Sequence, residues 1–193
     1  MSQNPPAKTI ALGVTGSIAA HKAIDIASDL TQKGHRVRVV MTKDAMRFVT
    51  PLPFKTLSRG PVITDLYDEE DHWKPSHIQL ADEADAILIA PCSATTIARI
   101  AHGLADDALS AIALALSPKT LRIVAPAMNG HMWLNPITQS NIQILKDNQW
   151  HVIGPAEGML SCGYQGIGRL CDFSTIVKAV SYTHLTLPTI CSV

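Results

Sequence analysis

An α/β fold is predicted for this chain: a doubly wound, flavodoxin/Rossmann-like parallel sheet with helices on both faces. Short β-branched apolar runs alternate with stretches of helical spacing as far as Ile153. The first strand, helix and strand fit into about 35 residues, the size of a right-handed βαβ unit. A length of 193 residues, 47% of them hydrophobic, suffices for one substantial core and suggests one domain. In such sheets ligands bind beyond the carboxyl ends of the strands, so the turns after the apolar runs are where function is sought.

Thr9–Val14 is the first apolar run, ended by glycine-rich punctuation, and Ala19–Gln32 then shows helical spacing closed by Gly34. Val37–Met41 is a second buried strand. From Lys43 the pattern weakens: a short helix to Phe48, a proline-bounded segment from Pro51 to Pro61, and an acidic stretch from Asp65 to Asp71. Order returns with a helix over Ser76–Glu83, a strand over Ala86–Ala90, helices over Ser93–His102 and Asp107–Leu116, and a strand over Leu121–Ala125. A helix over Pro136–Asn148 precedes a short strand at His151–Ile153. Gly154–Leu170, with five glycines, one proline and little to bury, breaks the alternation and is expected to be either disordered or a functional lid.

The last fourteen residues, VSYTHLTLPTICSV, disagree with the helix before them. Val180–Leu185 back-translates as GTC TCT TAT ACA CAT CT, which matches a transposon-end sequencing adapter. The expectation is a functional domain over residues 1–179 and a foreign tail over 180–193, with the natural chain continuing past Ala179.

Composition narrows the function classes. Sixteen basic and sixteen acidic residues cancel without long blocks of either sign, so neither nucleic acid nor an anionic membrane is the expected partner. A small molecule becomes the default. No apolar run approaches the roughly 20 residues of a membrane span, and MSQNPPAK lacks the apolar core of a signal peptide, which makes a cytoplasmic protein the expectation. Cys92, Cys162, Cys171 and Cys191 form no C-x-x-C pair and no metal-ligand spacing, so reduced thiols and no metal are expected.

Four stretches carry candidate chemistry. GVTGSIAA (Gly13–Ala20) joins the first strand to the first helix, where exposed N–H groups and the helix dipole favour an anion. Gly13 and Gly16 do not make the dinucleotide pattern G-x-G-x-x-G, which argues for a mononucleotide; a tight turn needing glycine is the alternative. Thr42 ends the second strand and either adds a hydroxyl at the same edge or caps the next helix. PCSATTIAR (Pro91–Arg99) places Ser93, Thr95 and Thr96 at a third strand end, more hydroxyls than one cap requires. PAMNGHMW (Pro126–Trp133) sets an amide, a histidine, two thioethers and an indole directly after a buried strand, either as a recognition turn or as ordinary turn and core residues. GMLSCGYQGIGRL (Gly158–Leu170) puts Cys162 between flexible neighbours. That suits a lid delivering a thiol proton, with Arg169 fixing the lid or meeting an anion, or else a loop with an incidental thiol.

Taken together, GSIAA at Gly16–Ala20, His77, PAMNGHMW and the flap GMLSCGYQGIGR resemble the homo-oligomeric flavin-containing cysteine decarboxylases, over about Lys8 to Ala179. The resemblance is closest to the branch acting on phosphopantothenoylcysteine in coenzyme A biosynthesis. It implies FMN as cofactor, held by Gly16, Ser17, Ile18 and Thr42 at its phosphate and by Ser93, Ala94, Thr95, Thr96 and Ala127 near its ring. It implies His77, Asn129 and Cys162 as catalytic residues, with Met128, Asn129, Met159, Leu160 and Ser161 against the substrate. The family's asparagine in P-x-S-A-N-T is Thr95 here, and Glu83 stands where the family has a tryptophan after the histidine-bearing helix.

The reaction implied is decarboxylation of 4′-phosphopantothenoylcysteine to 4′-phosphopantetheine. The thiol carbon is oxidised to a thioaldehyde at the expense of the flavin, CO2 leaves with its electrons accepted as an enethiolate, and hydride return plus a proton from Cys162 completes the product. His77 would serve the oxidative half. The family implies trimers, or dodecamers built from trimers, and a fused or separate phosphopantothenate-cysteine ligase as partner. A peptidyl-cysteine decarboxylase and a non-catalytic flavin-binding regulatory protein are the alternatives; the cysteine flap argues against a flavin prenyltransferase, which shares the fold.

Overall fold

The computed structural model describes residues 7–67, 74–161 and 163–182. Strands β1 (Thr9–Val14), β2 (Arg36–Met41), β3 (Val62–Ile63), β4 (Ala86–Cys92), β5 (Leu121–Pro126) and β6 (Trp150–Val152) form one parallel sheet in the order β3-β2-β1-β4-β5-β6. That order reverses between β1 and β4, so connections leave the two central strands in opposite directions and open a crevice at their carboxyl ends. β4 is buried at every position and β1 at all but its first, as continuous apolar strands between two helical layers must be.

Helices α1 (Lys22–Gln32), α2 (Pro51–Ser58) and α8 (Phe173–Tyr182) belong to one face. Its core joins Leu12, Ile26, Leu30, Val39, Phe54, Leu88, Ile123, Ile176 and Val177. Helices α3 (Ser76–Glu83), α4 (Ala94–Ala101), α5 (Ala108–Ala115), α6 (Gly130–Leu134) and α7 (Pro136–Asp147) belong to the other, around Leu80, Ile87, Ile89, Ile97, Leu109, Ile112, Ile142 and Leu145. The doubly wound prediction stands.

The differences have local causes. The proline-bounded stretch is helical because Pro51 and Pro53 fall in the first turn of α2, where a missing N–H leaves no helical bond unmade. Gly154–Leu170 contains a regular element: β7 (Ala156–Met159) pairs antiparallel with β8 (Gln165–Arg169) as a separate two-stranded sheet. Gly158 and Gly168 lie within those strands at φ +153° and +139°, so glycines read as punctuation serve an unusual backbone inside the ladder. Helix α8 runs past Ala179 to Tyr182, and Val180 is buried in the core.

Candidate active site

Three strand ends converge on one cavity of about 530 Å³. From β1 come Gly16, Ser17, Ile18 and Ala19, from β4 Ser93, Ala94 and Thr95, and from β5 Ala127, Met128 and Asn129. Met159, Leu160 and Ser161 of the hairpin close another side.

Each wall is fixed by specific bonds. Ser17 caps the 3-10 turn Ile18–His21 that leads into α1, accepting from the Ala19 N–H at 3.3 Å, and its hydroxyl donates to the Ala127 carbonyl at 3.5 Å. The β1 and β5 ends are thereby tied together. A Cβ on Gly16 would stand 2.6 Å from Asp44 Cβ, so only glycine lets the turn after β1 lie this close to the turn after β2. Buried Thr15 joins β1 to β4: its hydroxyl donates to the Pro91 carbonyl at 2.8 Å and accepts from the Ser93 N–H at 2.9 Å. Ser93 in turn caps α4 by accepting from the Thr96 N–H at 3.3 Å.

The PAMNGHMW turn is held from both sides. Ala127 N–H donates to the Cys92 carbonyl at 3.1 Å, and Met128 N–H donates to the Gly168 carbonyl at 3.0 Å. Asn129 caps α6, its Oδ1 accepting from the His131 N–H at 2.9 Å. The hairpin meets this turn backbone to backbone: a Cβ on Gly168 would be 2.2 Å from the Met128 carbonyl oxygen, and one on Gly130 would be 2.7 Å from that of Ile167. Trp133 is buried in the core, whereas Met132 is exposed and lines the cavity.

Of the predicted site residues, Gly16, Ser17, Ile18, Ser93, Ala94, Thr95, Ala127, Met128, Asn129, Met159, Leu160 and Ser161 share this cavity. Thr42 and Thr96 do not line it. Thr42 Oγ1 accepts from the Ala45 N–H at 3.2 Å as a cap, and buried Thr96 pairs its hydroxyl with that of Ser93 at 3.1 Å. His77 stands in the first turn of α3, away from the cavity wall, with Nδ1 buried and without a hydrogen-bond partner. Cys162 lies outside the described residues. Burial pushes the thiol of Cys92 far up, which identifies it as a packing residue; Cys171 is raised by burial and by Asp172.

His21, Lys22, Asp44, Gly168 and Leu170 line the cavity without having been singled out. His21 and Lys22 could have been found from their place at the start of α1, one turn beyond the anion-favouring GSI.

The flavoprotein family model matches residues 1–184. The chain belongs to the flavoprotein family. It is 45% identical over 173 residues to a probable phosphopantothenoylcysteine decarboxylase of Streptococcus mutans, covering 90% of this chain and 97% of that one. It is 44% identical over 171 residues to the coenzyme A biosynthesis bifunctional protein CoaBC of Bacillus subtilis, covering 89% of this chain. The match spans only 42% of that bifunctional relative. Among solved structures, a PPC decarboxylase cysteine-to-serine mutant complexed with pantothenoylaminoethenethiol matches with a TM-score of 0.83 at 31% identity, covering 94% of this chain and 100% of its own. The FMN binding protein AtHal3 matches with a TM-score of 0.82, also at 31% identity, covering 95% of this chain and 100% of its own.

Proposed function

We propose that this cavity holds FMN and decarboxylates 4′-phosphopantothenoylcysteine to 4′-phosphopantetheine, a step of coenzyme A biosynthesis. The observation that carries the reading is the convergence, in one cavity, of the anion-favouring turn after β1 with Asn129 and the flap residues Met159, Leu160 and Ser161.

The residues fit a flavin mononucleotide. Gly16 brings the turn after β1 close enough to form a cradle, Ser17 adds a hydroxyl, and the turn opens a helical run whose N-terminal dipole favours a phosphate. Ala94, Ala127, Met128 and Met132 give a planar ring an apolar wall without charge. When bound, the flavin supplies the two-electron sink that an unactivated cysteinyl carboxylate lacks, and afterwards returns those electrons.

The chain's own residues bind, orient and move protons. Asn129, its Oδ1 accepting from the His131 N–H, is the amide that hydrogen-bonds the substrate's carboxylate or amide. The donor is neutral, so the carboxylate is oriented without a cation that would favour keeping CO2 in place. Met159, Leu160 and Ser161 cover the reacting carbon and keep water from it. Cys162, between Ser161 and Gly163, gives the final proton to carbon. His77 acts in the oxidative half from a second copy of the chain, since its own protomer does not bring it to this cavity. Exposed Ile18, Met132 and Met159 at the cavity are the apolar surface such a copy would cover, in a trimer-based assembly. A phosphopantothenate-cysteine ligase, fused or separate, makes the substrate.

FMN-loaded protein incubated with phosphopantothenoylcysteine is expected to give phosphopantetheine by mass spectrometry, and to leave a peptide ending in cysteine unchanged. Turnover of the peptide alone would transfer the reading to peptidyl-cysteine decarboxylation. Turnover of neither by a flavin-loaded, assembled protein would leave a binding role.

A further inference from the structure

The cavity wall carries two permanent cations, Lys22 and Arg169, against one carboxylate, Asp44. They stand on different bodies. Lys22 opens α1, beside the turn that receives the cofactor's phosphate, whereas Arg169 ends β8 on the hairpin that lies over the substrate side. Among the described residues Arg169 has one ion pair, with Asp172 three residues on. That pair is long, 3.8 Å, and its side chains are 43% and 74% exposed, a geometry that contributes little in water. The side chain lies over Gly158 of β7, with Nε and Cζ at the ordinary contact distances of 3.4 and 3.5 Å from where a Cβ would stand, and it lines the cavity.

The substrate implied by the decarboxylase reading has two anionic ends with opposite requirements. A cation on the carboxylate would stabilise the ground state and oppose departure of CO2, so that end suits the neutral amide of Asn129. The phosphate survives the reaction and can be held strongly throughout, and a planar guanidinium matches two of its oxygens at once. We propose that Arg169 is the specificity-determining residue of this site: it binds the substrate's terminal phosphate and sets the preference for phosphorylated over unphosphorylated pantothenoyl substrates. This rests on the decarboxylase reading.

The test uses FMN-loaded parent, Arg169→Gln, Arg169→Lys and Asp172→Asn proteins. Calorimetric titration with phosphopantetheine and pantetheine gives a phosphate preference that does not depend on turnover, and kcat/KM on phosphorylated and unphosphorylated pantothenoylcysteine gives it under turnover. The parent is expected to prefer the phosphorylated compounds by about 10- to 100-fold, the range for hydrogen bonds to a charged group. Arg169→Gln should remove most of that preference, through KM and with little change in pantetheine affinity. Arg169→Lys should keep part of it, and Asp172→Asn should not lower it. Arg169→Gln with the parent's preference, or with equal loss for both ligands, overturns the assignment even if the protein decarboxylates. A phosphate preference that vanishes in Arg169→Gln without any decarboxylation supports the assignment and sinks only the catalytic reading.

Discussion

Replacing Gly168 by alanine should separate the flap from the Asn129 turn. The new Cβ would stand 2.2 Å from the Met128 carbonyl oxygen and 3.3 Å from the Gly130 nitrogen, both backbone atoms that no rotamer change can move. An ordinary contact requires the hairpin and the turn to part by more than an ångström. At φ +139° alanine also adopts a backbone region that is costly for a residue with a Cβ, about 1–3 kcal/mol, and forced overpacking adds about 1–3 kcal/mol. The lower bound of the two together, about 2 kcal/mol, is a roughly 30-fold shift against the docked hairpin. Since β7 and β8 form their own sheet, relief comes by lifting the hairpin rather than by unfolding the six-stranded core. Hydrogen exchange read at the Met128 amide, which donates to Gly168 at 3.0 Å, should accelerate by at least that factor, and decarboxylation should fall with it. A Met128 amide as protected as in the parent, with unchanged turnover, would refute the docking argument.

Thr15→Val keeps the shape but leaves the Pro91 carbonyl and Ser93 N–H without their shared partner, about 2–4 kcal/mol, so a thermal melt should drop by roughly 5–15 °C and Thr15→Ser should restore it. Asn129→Asp retains an equally good helix cap, so the melting temperature should hold while turnover falls by about 100-fold or more; equal loss of both would make the residue structural. Burial, then Lys8 and Lys33, holds the His35 pKa below its ordinary 6.5. Its folded value is depressed, so the unfolded chain takes up the proton first, and stability present above pH 6.5 is lost as pH falls through the folded value. Urea unfolding at about pH 7.5 and about pH 5.5 should show this loss in the parent and less of it in His35→Gln; identical slopes would exclude His35 as the cause.

The sheet was legible because its central strands, β1 and β4, are buried on both faces and therefore read as apolar runs. Pro126–Trp133 stood out from the mismatch between a buried strand and the side chains directly after it, and Met128, Asn129 and Met132 of that turn line the cavity. Thr42 was ambiguous, since a hydroxyl at a strand end serves a cap or a ligand equally well, and here it caps. The hairpin was hidden because Gly158, Gly166 and Gly168 supply no alternating side chains; what holds it is close backbone packing against Met128 and Gly130, which no local pattern encodes. His77 shows the other limit: sequence can nominate a histidine for catalysis, but its own protomer does not place it in the wall of this cavity.

The most direct test is a single turnover of phosphopantothenoylcysteine by FMN-loaded parent and Cys162→Ser proteins, followed by mass spectrometry and flavin absorbance together. The parent is expected to give phosphopantetheine and reoxidised flavin. The variant is expected to give a decarboxylated product two hydrogens poorer, with the flavin left reduced. Phosphopantetheine formed at the parental rate by Cys162→Ser, or CO2 lost without any change in the flavin spectrum, would contradict flavin-dependent decarboxylation with Cys162 as the proton donor.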